Sequence, residues 1–321
     1  MSRVLLTIFS SVLLPTAAII FIICAYLAGF PAHAGADMAS ATRLFEKKDY
    51  PAALLATRPL ADAGNIDAQY NLGVIYDKGL GTTRNVTEAI KWYRLAAERG
   101  QPAAQFNLGI MYQHGEVGDP DSTEAARWFL RAADNGIVEA QYGIAVMYHR
   151  GEGVLQDYKE ALRWYRQAGK RGYAAALYNL SVMYRRGEGV VQSVEESKRL
   201  YQQAAKAGDA DAQYSLGELY ERGEWVSSDP VAACHWYKLS AEQEHREAQF
   251  RLGRFFERGL GVHQDFVLGY LWYNLAAARG LEVAKTARDN LSLKMTPAQI
   301  AEGQNLSRDW RSKGTNELPH K

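Results

Sequence analysis

The feature that most constrains this chain is a sequence period of 36 residues. An aromatic pair such as Trp92-Tyr93 or Trp164-Tyr165 returns at this step. One glycine does the same, at Gly79, Gly115, Gly151, Gly187, Gly223 and Gly259. A period of this length is typical of stacked repeats, in which each unit buries its apolar face against its neighbours. The chain is therefore predicted to form an array with one continuous ribbon of core.

Each repeat is predicted to be an antiparallel pair of helices. In residues 137–172, Ala140, Ile144 and Tyr148 follow one another at helical spacing and form one apolar face. Gly151 then supplies a glycine C-terminus, and a second apolar stripe follows the loop. We therefore predict an all-α fold. Its parts are a shortened N-terminal repeat (39–64), six repeats (65–100, 101–136, 137–172, 173–208, 209–244 and 245–280), two capping helices within 281–311, and a disordered tail (314–321).

One column of the first helices contains only small residues. A glycine inside a helix costs about 1 kcal/mol relative to alanine, so its recurrence at one phase indicates a packing requirement. We expect the second helix of each repeat to approach closely at this column. Its members are Gly73, Gly109, Ala145, Ser181, Gly217 and Gly253.

The combined pattern resembles a known repeat family. It reads Ala-x-x-x-Leu-Gly-x-x-Tyr-x-x-Gly-x-Gly-Val, then Ala-x-x-Trp-Tyr-x-x-Ala-Ala-x-x-Gly, and residues 68–100 and 248–280 match it nearly in full. This is similar to the Sel-one-like repeat (SLR) family, a branch of the tetratricopeptide-like solenoids. The resemblance implies a right-handed α/α solenoid whose first helices line a concave surface. It also implies roles in assembly, signalling or the cell envelope.

The N-terminus predicts export by one of two routes. Residues 4–30 form an uncharged apolar run after Arg3, and Ala32-His33-Ala34 matches a signal-peptidase site. Residues 1–34 are therefore interpreted as a cleaved signal peptide, with a periplasmic or exported product. The alternative is an uncleaved membrane anchor, since about 20 apolar residues span a bilayer. It would associate the chain with the inner membrane through residues 4–30.

The residues indicate no catalytic chemistry. The net charge of +1 lacks the basic excess of nucleic-acid-binding proteins, so no nucleic-acid partner is expected. The seven histidines show no metal-ligand spacing, and no metal or cofactor is expected. The loop Gly151-Glu152-Gly153 has neither the third glycine nor the Lys-Ser/Thr pair of a phosphate-binding loop. Cys234 is interpreted as a small buried hydrophobic residue.

Two columns of the first helices are candidates for partner binding. The aromatic column contains Tyr142, Tyr178 and Tyr214, and packing between repeats is the favoured explanation for it. The basic column just before the loop glycine contains Arg150, Arg186 and Arg222, which we expect to be solvated. Complementation of the negative end of a helix is the alternative explanation for these charges.

The function predicted from these features is a non-catalytic protein-interaction scaffold of the bacterial cell envelope. A partner protein would place a segment, acidic in character, on the concave face. One alternative is a subunit or accessory factor of a cell-wall or exopolysaccharide enzyme complex. Hydrolysis of a cell-wall-related substrate and self-assembly are less favoured, because no catalytic set is present and the C-terminal helices are polar.

Overall fold

The computed structural model describes residues 37–116, 118–224 and 226–313, with side chains to residue 310. The predicted signal peptide or anchor (1–34) and the predicted tail (314–321) lie outside the described residues. Within the described part there are helices and no strands, in agreement with the all-α prediction. No described helix is long and apolar enough to cross a membrane.

Sixteen α-helices make up most of the described chain. They are α1 (Met38–Glu46), α2 (Tyr50–Asp62), α3 (Ile66–Lys78), α4 (Val86–Glu98), α5 (Pro102–His114), α6 (Ser122–Asp134), α7 (Val138–Arg150), α8 (Tyr158–Lys170), α9 (Ala174–Arg186), α10 (Val194–Lys206), α11 (Ala210–Arg222), α12 (Pro230–Glu242), α13 (Arg246–Arg258), α14 (Phe266–Ala278), α15 (Glu282–Ser292) and α16 (Pro297–Lys313). We number the six repeats 1 to 6, from α3–α4 to α13–α14. Helices α1 to α15 pack mainly on their neighbours in the chain, whereas α16 packs on α14.

Caps fix the length of the helices in the array. Each first helix ends at a glycine in the left-handed conformation, as at Gly151, where φ is 72°. Each second helix begins at a polar N-cap, as at Asp157, which accepts hydrogen bonds from the amides of Lys159 and Glu160. The Asp157 amide also donates to the carbonyl of Tyr148 at 2.9 Å, which closes the loop. The same bond recurs at the same distance in all six repeats.

The two helices of a repeat meet at a contact that we call the intra-repeat seam. A Cβ added at Gly109 would lie 2.7 Å from Cδ1 of Phe129, so the ring of the second helix occupies the space that a side chain would need. Repeat 1 places Tyr93 against Gly73 in the same way, with the corresponding distance 2.5 Å. The small-residue column therefore has the packing role predicted for it. Repeats 3 and 4 accommodate Ala145 and Ser181 at this column, both fully buried.

Consecutive repeats are tied together by a column of buried glutamines. The side-chain amide of Gln105 donates to the carbonyl of Ala97 in the preceding second helix at 3.0 Å. Gln213 donates to Ala205 at 3.1 Å. Equivalent bonds are made by Gln69, Gln141 and Gln249, and repeat 4 has Leu177 at this position. A buried hydrogen bond that crosses a junction specifies how one repeat sits on the next.

The second loop glycine also reaches the preceding repeat. A Cβ added at Gly153 would overlap the carbonyl of Ser122, the first residue of α6. A Cβ added at Gly261 would overlap the carbonyl oxygen of Pro230 at the start of α12, and one at Gly189 would lie 2.7 Å from Cβ of Tyr158 at the start of α8. The loop of one repeat therefore rests directly on the backbone of the previous second helix.

The C-terminal helices close the array. Thr296 and Gln299 form a reciprocal capping box, in which the Thr296 amide donates to Oε1 of Gln299 at 2.9 Å and the Gln299 amide donates to Oγ1 of Thr296 at 3.3 Å. Trp310 of α16 packs edge-on against Trp272 of α14, with ring centroids 5.1 Å apart. The two helices α15 and α16 thus cover the apolar side of repeat 6.

Candidate protein-binding face

The aromatic column lies mainly inside the array. The ring of Tyr142 is 5.9 Å from that of Tyr165 in its own repeat and 5.0 Å from that of Tyr173 in the next. The same ring pair occurs in every repeat, at centroid distances of 5.4–5.9 Å. The other pairs are Tyr70–Tyr93, Phe106–Phe129, Tyr178–Tyr201, Tyr214–Tyr237 and Phe250–Tyr273. Packing therefore explains why the column is aromatic. Because the rings contact each other, mainly the hydroxyl groups could contact a partner.

These hydroxyls stay protonated over the ordinary pH range. Burial raises the pKa of Tyr142 and of Tyr214 to about 12 and raises the pKa of Tyr178 further. The Tyr142 hydroxyl accepts a hydrogen bond from the side-chain amide of Asn179 at 3.4 Å. Tyr214 stacks on the imidazole of His245, with ring centroids 4.7 Å apart. The tyrosines can therefore offer hydrogen bonds but no charge.

Each arginine of the basic column is paired with a glutamate of the following loop. Arg150 lies 3.5 Å from Glu152, Arg186 lies 3.4 Å from Glu188, and Arg222 lies 3.7 Å from Glu224. The side chains of Arg186 and Arg222 are 53% and 56% exposed, as expected for solvated residues, whereas that of Arg150 is only 28% exposed. The expectation that all three are solvated is thus wrong for Arg150. Positive and negative groups alternate along this strip.

The six predicted residues do not form one compact site. They are distributed over repeats 3, 4 and 5, one aromatic residue and one arginine on each first helix. The structure brings only Tyr178 and Arg222 to a common cavity, which has a volume of about 230 Å³ and lies between repeats 4 and 5. We call the side of the first helices that carries both columns the first-helix face.

An ion-pair network that the sequence did not predict crosses from repeat 5 to repeat 6. Arg251 of α13 lies 2.9 Å from Glu218 and 3.7 Å from Glu221 of α11. Arg254 also pairs with Glu221, and the hydroxyl of Tyr237 donates to that carboxylate at 2.6 Å. The sequence signal that could have indicated this network is a change of residue type at one column of the repeat. The column of Glu218 and Arg254 is filled in repeats 1 to 4 by Val74, Ile110, Val146 and Val182.

The junction between repeats 3 and 4 contains a different polar pair. Nε2 of His149 lies 3.0 Å from the carboxylate of Glu188, and the imidazole packs edge-on against Tyr158 and Tyr165. Among the described residues, no group of three or more His, Cys, Asp or Glu side chains could hold a metal ion. Cys234 is free and buried, as expected, and burial raises its pKa to about 11. Its thiol is therefore protonated at neutral pH.

Comparison with known proteins identifies the repeat. The Sel1 repeat pattern matches residues 66–101, 102–137, 138–173, 174–209, 210–245 and 246–281, each one residue later than the unit predicted above. A Sel1 repeat protein from Oxalobacter formigenes has a similar structure, with 33% identity and a TM-score of 0.69. That likeness covers 76% of this chain and 100% of the other.

A second similar structure is a protective antigen present in uropathogenic Escherichia coli strains, described as displaying an SLR fold. It shares 30% identity over 81% of this chain, with a TM-score of 0.68. This chain spans only 57% of that protein. The comparison with curated protein sequences finds no match.

Proposed function

The chain belongs to the Sel1 repeat family, and we propose that it acts as a scaffold that binds a segment of a partner protein along its first-helix face. Proteins built from these repeats generally mediate protein–protein interactions. The observation that carries the proposal is the exposed strip in which Arg186 and Arg222 alternate with Glu188 and Glu224. Tyr142, Tyr178 and Tyr214 line the same side and would contribute hydroxyl groups.

Such a strip can exchange its own ion pairs for those of a partner. An ion pair between exposed side chains contributes only about 0–1 kcal/mol, because water screens it and ordering two long side chains costs entropy. An acidic partner segment can therefore displace Glu224, whose side chain is 55% exposed, from Arg222 at little cost. Charges arranged in this way favour rapid encounter and selection of the partner by charge. Binding alone, without a covalent step, accounts for the residues that the strip contains.

We further propose that the scaffold works outside the cytoplasm, in the cell envelope. The apolar run at residues 4–30 and the Ala32-His33-Ala34 motif support this location. N-terminal sequencing of the native protein tests it. A start at Gly35 or Asp37 means a cleaved signal peptide, and an intact Met1 in the membrane fraction means an anchor. A soluble cytoplasmic pool of the full-length chain would contradict both routes.

Charge reversal on the face tests the scaffold proposal. Replacing Arg150, Arg186 and Arg222 by Glu should abolish most partner crosslinking in native envelopes. In the wild type, crosslinking should weaken as salt concentration rises, because salt screens exposed charges. Since Arg150 is half-buried, a double variant with only Arg186→Glu and Arg222→Glu is the safer form, and its helical circular-dichroism signal should equal that of the wild type.

A matched control lies on the second helices. Arg127, Arg163 and Arg199 are exposed, are spaced by the same repeat period, and pair with Glu124, Glu160 and Glu196. Reversing these three arginines changes the net charge by the same amount as the triple reversal on the face. Partner crosslinking should survive in this control. If both triple variants keep or lose their partners equally, the first-helix face is not the binding surface.

A further inference from the structure

The cavity between repeats 4 and 5 is a polar site of a size that suits one side chain. Its volume is about 230 Å³, and its lining includes Tyr178, Arg185, Tyr201, Ser215, Glu218 and Arg222. Sites for whole small molecules usually measure roughly 300–1,000 Å³ and are mostly apolar. This cavity is smaller, and the residues around it are nearly all polar, so a single polar side chain is the better fit.

A short side chain at a variable column leaves room for the cavity. Ser215 occupies a column that holds asparagine in repeats 1, 2 and 4, Gly143 in repeat 3 and the much larger Arg251 in repeat 6. At the junction of repeats 5 and 6, Arg251 extends back to Glu218 and Glu221. The short side chain of Ser215 cannot make the equivalent reach back to repeat 4. Space therefore remains at the junction of repeats 4 and 5, whereas Arg251 fills it at the junction of repeats 5 and 6.

Arg185 is the unusual charge in this space. Its position is taken by His149 in repeat 3 and by Glu221 in repeat 5, and each of those pairs across the next junction. Within the described part of the chain, no carboxylate lies within ion-pair distance of the Arg185 guanidinium. The neighbouring arginine, Arg222, is already paired with Glu218 at 3.2 Å and with Glu224 at 3.7 Å.

Hydroxyl groups complete the lining. Tyr201 hydrogen-bonds through its side chain with Tyr178 and Ser215. Burial raises the pKa of Tyr178 and of Tyr201, so both phenols keep their protons at neutral pH. One hydroxyl donates to the other, and the proton of the second can be donated to a ligand. A guanidinium with hydroxyl donors beside it is the arrangement that binds a carboxylate by charge-assisted hydrogen bonds.

We propose that this cavity accepts the carboxylate of one aspartate or glutamate side chain of the partner segment, bound to Arg185. The inference rests on the proposed scaffold function and specifies one contact within it. A carboxylate fits better than a phosphate group, which carries about −1.5 to −2 charges at neutral pH. Glu218 and Glu224 flank the cavity and would repel the additional negative charge.

Pools of short peptides with both termini blocked test the proposal directly. The peptides are random except for a fixed central residue, which is Glu, Gln or Lys in three separate pools, and the full-length protein is immobilised. The wild type should retain the Glu pool about 10-fold more strongly than the Gln pool, because a charged carboxylate binds a guanidinium more strongly than a neutral amide does. Arg185→Ala should remove this preference, and Arg185→Glu should shift it toward the Lys pool.

Two further variants keep the test independent of folding. Ser215→Leu fills the cavity with an uncharged side chain and should also remove the Glu preference. Arg199→Ala removes an exposed arginine from the second helix of repeat 4 and should leave the preference unchanged. Circular dichroism should show the same helical content for all variants.

The outcomes separate this inference from the scaffold proposal. Retention of peptides with no Glu preference in the wild type, or with a Glu preference that survives Arg185→Ala, overturns the carboxylate site and leaves the scaffold proposal standing. Failure of the wild type to retain any pool overturns the carboxylate site, and a face variant that also keeps its crosslinked partners overturns the scaffold proposal as well.

Discussion

The intra-repeat seam and the first-helix face change along the array in opposite ways. At the seam, a glycine on the first helix meets an aromatic ring on the second in repeats 1, 2, 5 and 6. The aromatic pair beside it keeps nearly constant centroid distances in all six repeats. On the face, one column runs from Val74 in repeat 1 to Glu218 in repeat 5 and Arg254 in repeat 6. The seam must satisfy a close-packed contact, where one added methylene is felt. The face is free to vary, so the information about partners lies there.

The largest expected effect on stability comes from removing a large side chain from the core beside the seam. Trp164 is 1% exposed, so Trp164→Ala should lower the free energy of unfolding by about 3–5 kcal/mol. Each repeat contacts mainly its neighbours, so hydrogen exchange should rise most within 137–208 and much less within 245–280. Trp236 holds the same column in repeat 5 but is only half-buried, and Trp236→Ala should cost less. Equal loss of protection along the whole chain would contradict a nearest-neighbour array.

A pair of glycines around one ring gives the sharpest contrast between seam and face. A Cβ at Gly109, in the seam, would lie 2.7 Å from Phe129, whereas a Cβ at Gly143, on the face, would lie 3.7 Å from the same ring. Gly109→Ala should lower the free energy of unfolding, since overpacking costs about 1–3 kcal/mol. Gly143→Ala should raise it by up to about 1 kcal/mol, because alanine favours the helix. Thermal and urea unfolding measure both, and effects of the same sign would remove the distinction.

The smallest effect concerns a cap where two repeats meet. Asp209 caps α11, accepting a hydrogen bond from the Ala212 amide at 2.7 Å, and burial raises its pKa to about 6. An unfolded aspartate has a pKa of about 3.9, so the native state holds this proton more tightly. The resulting stabilisation is present below about pH 4 and is lost as the pH rises through about 6.

Asparagine keeps the cap and removes the titration. Asp209→Asn should therefore match the wild type near pH 4 and exceed its stability at pH 8, by on the order of 1 kcal/mol, because the site is partly open to water. Thermal midpoints across this range measure the difference. Asp229→Asn, at an exposed cap, controls for the exchange of cap chemistry itself. A difference that does not vary with pH would contradict the role of burial at Asp209.

Most of the features that could be predicted from the sequence are those that packing repeats in every unit. The helix pairs, the small-residue column and the buried Trp and Tyr residues repeat every 36 residues, because packing imposes the same demand on each unit. The pairing of Arg186 with Glu188 was visible as Arg-Gly-Glu in the sequence, but only the turn of the loop shows that the two side chains meet. The buried glutamine column was overlooked because glutamine is seldom a core residue.

Arg185 could not be singled out from periodicity. Whether it has a partner depends on Ser215, which lies 30 positions later in the sequence and in the next repeat. A contact between two variable positions leaves no periodic signal in one sequence. The fold was therefore predictable from the repeat, whereas the candidate contact site required the structure.

The loop that rests on the preceding repeat has a consequence for how such a gene can change. Gly153 and Gly261 lie directly against the backbone of the previous second helix. The loop therefore cannot accommodate an extra residue without moving away from that backbone. A single-codon insertion there would lift one repeat off its neighbour. Duplication or deletion of a whole 36-residue unit would keep the contacts that recur in each repeat. Arrays of this kind therefore lengthen and shorten by entire repeats, while point substitutions diversify the exposed face.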